Sequence, residues 1–313
     1  MKKYKGIIIS FILGMIVMGV FCGIVFHLYK KKNEPYMMTE EQKEIFDNLE
    51  ILKGYIDQDF VDSYDVKATD EDLINGIYKG YVAALGDPFT KYKTAEENSE
   101  SLSKDNSDYF TYEMLDNNVG YIKFTEFLAT ADQNLYESLS DLTSQGMESL
   151  IVDMRGNKGG GTQTAVNMVS AFIPNGELVI YTVNKAGERT DYMSEDSYIK
   201  ATDTYEDLNY DMPIVILTDG DSISSAEIFT GALKYFDRAT VIGTTTYGKG
   251  IGQLTYGFGD GQSVSVTAFK YYFADDSSIH QIGVEPDIEV EDDPETADVD
   301  EALQAATDYL LDN

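Results

Sequence analysis

Between residues 37 and 94 the apolar positions fall at helical spacing. Leu73, Ile77, Tyr81 and Leu85 recur every four residues, Thr69 and Asp72 are placed as a reciprocal N-terminal cap, and Leu85-Gly86-Asp87-Pro88 ends the pattern. From Glu96 to Asp108 the chain is polar, rich in Ser, Asn and acid, and reads as a linker or mobile loop. The texture changes at Val119. Residues 119–127 alternate like a strand, Thr130 and Gln133 can cap a helix carrying Leu135, Leu139 and Leu142, and Gly146 stops it. Leu150 to Met154 is a short buried strand, followed by a helical face made by Ala165, Met168, Val169 and Phe172. Pro213 to Thr218 is another apolar strand and runs into a helix from about Ser224 to Phe236. Thr240 to Gly243 is strand-like again, and Ser263 to Phe273 alternates. Strand–helix–strand units of this length imply an α/β domain. An acidic tail closes on an amphipathic helix with Leu303, Ala306, Tyr309 and Leu310 on one face.

These textures divide the chain into a helical region (37–94), a linker (95–118), an α/β core (119–292) and an acidic helix or tail (293–313). Ahead of them, residues 1–32 form a segment of another kind. Gly6 to Phe26 is an uncharged, mostly apolar run, and about 20 such residues span a bilayer as a helix. Lys2, Lys3 and Lys5 precede it and Lys30, Lys31 and Lys32 follow it. No A-x-A-like cleavage site closes the run, so it is expected to be an uncleaved single-pass anchor, with the remainder outside the cytoplasm. Cys22, the one cysteine, follows Phe21 rather than the small residue a lipoprotein site would want. A single cysteine excludes disulfides within the chain and cysteine-rich zinc sites.

The chain carries a formal charge of −32. Six of its 23 basic residues and none of its 55 acidic ones lie in 1–32, leaving 17 against 55 for the rest. So acidic a surface repels phosphate backbones, which argues against nucleic acid as a partner.

Candidate chemistry sits on three segments. Arg155-Gly156-Asn157-Lys158-Gly159-Gly160-Gly161 comes after a strand, and its glycines let backbone N–H groups face a developing oxyanion. Ser224 sits where a helix begins, and the helix's unpaired N–H groups, including that of Ser225, add positive potential there. Lys249 lies between Gly248 and Gly250. A serine needs a neighbouring base to become nucleophilic, and a desolvated lysine can serve where histidine is scarce. Taken one at a time, Ser224 or Ser222 could simply cap the helix, the glycine run could be only a tight turn, and Lys249 could be a surface lysine. It is their order on successive strand ends that points to a serine–lysine hydrolase.

At these residues the chain resembles the C-terminal processing peptidases, or tail-specific serine proteases. The resemblance rests on Asp153-Met154-Arg155-Gly156-Asn157-Lys158-Gly159-Gly160, on Ser222-Ile223-Ser224-Ser225-Ala226-Glu227-Ile228 and on Thr246-Tyr247-Gly248-Lys249-Gly250-Ile251-Gly252-Gln253. Gly283-Val284-Glu285-Pro286-Asp287 resembles the family's closing motif, and Leu85 to Tyr92 resembles the end of its N-terminal helical region. The likeness covers most of residues 45–290. It implies a Ser–Lys protease on a Clp-protease/crotonase-like α/β core, which would follow the N-terminal helical region and the single transmembrane helix expected from the apolar run. It further implies Ser224 as nucleophile, Lys249 as general base and Gln253 as the residue orienting the lysine. Ser225 and a glycine of the 159–160 pair, Gly159 in the first instance, would give the oxyanion-hole N–H groups. Asp219 and Glu227 belong to the motif as structural members. No cofactor or metal is implied. Partners would be polypeptide substrates, the membrane, and a second copy through the N-terminal helices.

One departure is large. The family usually carries a PDZ domain between the Asp-Pro motif and the strand starting Gly120-Tyr121-Ile122. Here about 30 residues separate them, below the roughly 50 of the smallest independent domains.

Other readings fit less well. Gly243 to Lys249 matches a phosphate-binding loop, but Gly250 stands where Ser or Thr should ligate magnesium, and the residues after Gly250 read as strand. Gly220-Asp221-Ser222-Ile223 resembles the GDSL lipase block, yet that family needs Asp-x-x-His, and here His280 comes four residues after Asp276. A Ser–His–Asp triad would likewise depend on His280. The non-enzyme alternative is a ligand-binding or scaffold module on the same fold. For catalysis Lys249 must be neutral. The acidic surface raises its pKa, so burial must dominate, in a dry pocket with no carboxylate at ion-pair distance.

Overall fold

The computed structural model describes residues 39–60, 68–103, 109–195, 212–291 and 299–312. The apolar run 6–26, with Cys22 and the flanking lysines, lies outside them. Among the described residues no helix is long and apolar enough to cross a membrane.

The chain divides into two compact units, 1–69 and 70–313. In the first, helix α1 (Glu40–Asp59) opens on a reciprocal cap. Gln42 N donates to Thr39 Oγ1, and Thr39 N donates to the Gln42 side chain. Ile45, Leu49, Leu52 and Ile56 make an apolar stripe, yet no residue of α1 is buried, and Ile45 and Leu52 remain 56% and 53% exposed.

The second unit begins with helix α2 (Asp70–Ala83). The helix stops at Ala83 and the chain turns through Gly86 (φ +68°), within the Leu85-Gly86-Asp87-Pro88 segment that ends the sequence pattern, so the region set at 37–94 is not helical to its end. Asp87 then accepts hydrogen bonds from Phe89 N and Thr90 Oγ1, which turns the backbone into strand β1 (Lys91–Lys93). The expected linker is also ordered differently. It carries helix α3 (Ala95–Ser103) and strand β2 (Phe110–Met114). Thr94 and Glu97 cap α3 reciprocally, a T-x-x-E signal hidden in a stretch too polar to show a core-facing stripe.

The core continues as strand β3 (Val119–Phe124), helix α4 (Ala131–Ser144), strand β4 (Ser149–Asp153), helix α5 (Thr162–Val169), strands β5 (Leu178–Asn184), β6 (Arg189–Met193) and β7 (Ile214–Thr218), and helix α6 (Ser225–Tyr235). Strands β8 (Thr240–Gly243), β9 (Ile251–Gly257), β10 (Ser263–Phe273) and β11 (Ile288–Glu289) and helix α7 (Glu301–Asp312) complete it. Six strands form one sheet in the order β11-β8-β7-β4-β3-β2, parallel except for β2. The other sheet runs β1-β10-β5-β6, with β9 paired to β10.

Both faces of the parallel sheet are covered, which explains the unbroken apolar runs of its central strands. Leu150, Val152, Ile214 and Ile216 face the main core with Phe124, Phe127, Phe172 and Phe229, while Ile151, Val215 and Leu217 face Ala302, Ala306 and Leu310 of α7. Arg155 fastens this layer, bridging buried Asp153 and Asp300 just before α7. Because β4, β7 and β8 are parallel, the loops leaving their C-terminal ends emerge along one edge, where open α/β sheets build their sites. Those loops are 154–161, 219–224 and 244–250.

Gly243 ends β8 at φ +126°, where an added Cβ would overlap the Thr218 carbonyl oxygen. Gly243→Ala is therefore expected to lower stability by about 1–3 kcal/mol through overpacking and backbone strain. Gly257→Ala, with no atom within 4 Å of the added methyl, should stay within about 0.5 kcal/mol. Urea unfolding of the two variants checks this.

Candidate active site

The turn after β7 distinguishes the two candidate serines. Ser222 is fully buried. Its Oγ donates toward Met154 O and Asp219 Oδ1 and accepts from Asp219 N, so it ties the ends of β4 and β7 together. Asp219 Oδ1 also accepts Gly156 N and Asp221 N, holding the glycine loop beside the turn. Ser224 is half-buried at the head of α6, with φ 63° and ψ −112°. A non-glycine residue in that region carries about 1–3 kcal/mol of strain, and such residues cluster at reactive sites.

Glu227, three residues into α6, is fully buried and organises both neighbouring segments. Its Oε2 accepts Ser224 N at 2.7 Å and Lys249 N at 2.9 Å. Its Oε1 accepts Thr246 Oγ1 at 2.7 Å and Gly248 N at 2.6 Å. One oxygen thus receives both backbone N–H groups, so the Ser224 and Lys249 nitrogens are separated by no more than those two hydrogen bonds end to end. Four donors and the helix N-terminus compensate the burial of this carboxylate. Reading Glu227 as a structural motif residue understates its position, since it joins the two residues on which the chemistry depends.

Lys249 is half-buried, and its Nζ lies 4.5 Å from the centre of the Phe89 ring, which the Asp87-Pro88 turn delivers. Among the described residues its amine forms no ion pair and no hydrogen bond. Burial pushes its pKa below the ordinary 10.5, with a smaller contribution from Lys91, while Glu227 and Asp87 act in the opposite sense.

The glycine loop is built around buried Asn157. Its Nδ2 donates to Phe124 O, its Oδ1 accepts Gly159 N, and its carbonyl accepts Ile223 N. Gly159 (φ +80°) passes so close to the serine that a Cβ there would lie 2.8 Å from Ser224 Cβ and 3.1 Å from Ser225 N. Its N–H is taken by Asn157. The carbonyl of Gly160 accepts Ser225 Oγ. Among the described residues the N–H groups of Gly160 and Ser225 donate to no protein acceptor, which leaves two backbone donors on segments that touch at the serine.

Gln253 lies on β9 opposite Thr267, and its Nε2 donates to Thr267 Oγ1 at 3.2 Å rather than to any atom of Lys249. Thr267 N in turn donates to Thr90 Oγ1, so Gln253 connects to the turn that carries Phe89. His280 packs against Gly250, and its Nδ1 is buried without a partner among the described residues. It makes no hydrogen bond to Ser224. Lys249 leads into strand β9 rather than a helix, which removes the helix N-terminus that a phosphate loop requires. No cluster able to hold a metal ion occurs among the described residues.

Residues 118–290 match the family model Peptidase family S41. The chain belongs to this family. S41 members are serine peptidases that use a Ser–Lys dyad. The S41 chain is 34% identical over 198 residues to a carboxyl-terminal-processing protease of Synechocystis, covering 61% of this chain and 44% of that protein. It is 33% identical over 179 residues to the carboxy-terminal processing protease CtpA of Bacillus subtilis, covering 57% and 36%. The chain thus spans less than half the length of these curated relatives. Among solved structures it shares its fold with a lipoprotein from Streptococcus agalactiae (TM-score 0.62, 17% identity, 88% of this chain and 90% of that one). It also shares it with a photosystem II D1 C-terminal processing protease (TM-score 0.53, 16% identity, 78% and 86%).

In this S41 chain Glu227→Gln keeps the side-chain shape but offers a single acceptor oxygen to four donors. Its kcat/KM on an unfolded protein substrate is expected to fall about a hundredfold or more, since misplacement by about an ångström has that effect. A rate within threefold of wild type would show that the shared carboxylate does not hold the site.

Proposed function

We propose that this protein is a membrane-anchored serine endopeptidase that cleaves unfolded or C-terminal segments of extracytoplasmic proteins. The observation that carries the reading is the single Glu227 oxygen bonded to the backbones of both Ser224 and Lys249. Neutral Lys249 takes the Ser224 proton as Oγ attacks the peptide carbonyl and returns it to the leaving amine. Water then releases the acyl-enzyme. The tetrahedral oxyanion is received by the N–H of Ser225 and of the 159–160 pair. Within that pair the free donor belongs to Gly160, while Gly159 supplies the space beside the serine. The orienting role of Gln253 rests on the family resemblance; its Oε1 is the end of the amide that Thr267 leaves free.

Anchoring rests on the basic-flanked apolar run at 6–26. Pairing of two copies through α1 rests on its apolar stripe, of which Ile45 and Leu52 are exposed and Leu49 and Ile56 half-buried. About 30 residues lie between the Asp87-Pro88 turn and β3, too few for an independent domain, so this reading includes no PDZ gate at that place.

Ser224→Ala and Lys249→Ala in the full-length protein are expected to abolish release of peptides from an unfolded substrate, read by mass spectrometry. Covalent labelling by a fluorophosphonate should disappear with Ser224. Unlabelled but ligand-binding protein would instead indicate a binding module. Deleting residues 1–32 should move the protein from the membrane to the soluble fraction.

The pH dependence has a definite sign. Because the folded pKa of Lys249 lies below its unfolded 10.5, kcat/KM rises with pH through the folded value. The same shift means that the folded state carries a buried ammonium at low pH. Stability therefore increases as pH climbs from the folded value toward 10.5. Lys249→Met is accordingly expected to be inactive and to melt at a higher temperature than wild type at neutral pH.

A further inference from the structure

The carbonyl side of the two catalytic candidates has its own partner. Tyr271, on β10, is 2% exposed with its ring in the main core. Its hydroxyl contacts Lys249 O at 2.6 Å and Ser224 O at 3.2 Å, and its backbone N–H donates to Gly250 O at 3.1 Å. A phenol has one proton, so the short bond to Lys249 O is the main donation and the Ser224 contact is its weaker branch. We propose that Tyr271 is a positioning residue for the Ser–Lys reaction: its hydroxyl fixes the Lys249 carbonyl against the first turn of α6, completing from the C=O side the tie that Glu227 makes from the N–H side. This role rests on the proposed peptidase activity.

The physical reason lies in the glycines. Lys249 is flanked by Gly248 (φ +89°) and Gly250, whose backbones lack side-chain restraint. The direction of the Lys249 Cα–Cβ bond is set by the peptide planes on either side of it. Glu227 holds the plane before it through the N–H, and Tyr271 holds the plane after it through the C=O. For Ser224 the same two side chains meet the same two backbone groups, helped by the bonds from Glu227 N and Ile228 N to Ser224 O. Two side chains therefore set both Cβ directions relative to one another.

The charged groups around the lysine are Glu227 from α6, Asp87 from the turn after α2 and Lys91 from β1, and only Glu227 acts on Tyr271. Burial holds the phenol well above its ordinary value, so it stays a protonated donor over the working pH range.

The test is Tyr271→Phe in the full-length protein, which keeps the ring and removes the hydroxyl. The expected result is a kcat lower by about ten- to a hundredfold with KM unchanged. The acid limb of the pH–rate profile should also move to higher pH, as a loosened lysine regains water. Tyr92→Phe, which removes a buried hydroxyl bonded to Asn75, should lose stability without moving that limb. 4-Aminophenylalanine at 271 restores an N–H donor and should recover kcat. If Tyr271→Phe does not fold, 4-fluorophenylalanine at 271 replaces it, filling the place of the hydroxyl without a donor, and an acid limb displaced to higher pH supports the proposal. An unmoved limb in a folded variant at 271 that lacks the donor, or an equal loss in Tyr92→Phe, overturns it. Activity retained in Ser224→Ala or Lys249→Ala would overturn the peptidase reading itself, so the two failures are distinguishable.

Discussion

A carboxylate with no exposure to water holds this site together. Glu227 receives the backbone N–H groups of Ser224, Gly248 and Lys249 and the hydroxyl of Thr246, and Thr246 Oγ1 accepts Val284 N from the segment beyond β10. A buried charge lacking such donors would neutralise or unfold its surroundings. Here every bond goes to a segment that must be placed for the chemistry to occur. The carboxylate also opposes the function it builds, since its charge raises the pKa of the lysine beside it. Desolvation is the larger effect, and the carboxylate oxygens are already engaged by backbone and hydroxyl donors. The ammonium form of Lys249 consequently gains no ion pair from the acid that positions it.

The fold makes this arrangement possible by topology. Parallel strands β4, β7 and β8 deliver their succeeding loops to one edge, and alternation of their side chains anchors them in two cores at once. A rigid frame of that kind can hold Ser224 at positive φ and can bring Gly159 into contact with it. The antiparallel sheet contributes from the other side. Its strand β10 carries Tyr271 and pairs with β9, which begins two residues after Lys249, so the lysine segment is caught between the two sheets.

Much of this is legible in the sequence, and the reason differs by element. The α/β order, the helix at 225–235 and the serine and lysine segments are visible because apolar runs and glycine-flanked polar residues are local signals. Helix α3 and strand β2 escape such a reading, since Glu96 to Asp108 is polar throughout and only the Thr94–Glu97 cap marks the helix. Strands β5 and β6 go unread although Pro174-Asn175-Gly176 precedes β5 and Gly187 (φ +80°) turns the chain between them, so their signal is present in the residues. Helix α2 keeps its four-residue period, yet Ile77 and Tyr81 on it stay exposed, so period alone does not reveal what the helix covers. In the site, no sequence pattern shows that Asn157 takes the Gly159 N–H and leaves that of Gly160 free. Nor could it show that Glu227 and Tyr271 converge on Lys249, 22 positions from each. These roles arise from side chains meeting backbone atoms across the fold, where residue type carries little information.

The central claim is that Lys249 is held beside Ser224 by its backbone while its amine stays desolvated and unpaired. Site-resolved NMR titration of the Lys249 side chain, in full-length protein carrying isotope-labelled lysine and assigned with Lys249→Arg, tests this most directly. The predicted result is a midpoint clearly below the ordinary 10.5. A midpoint at or above that value would mean that the acidic surroundings prevail over burial, and would contradict the claim.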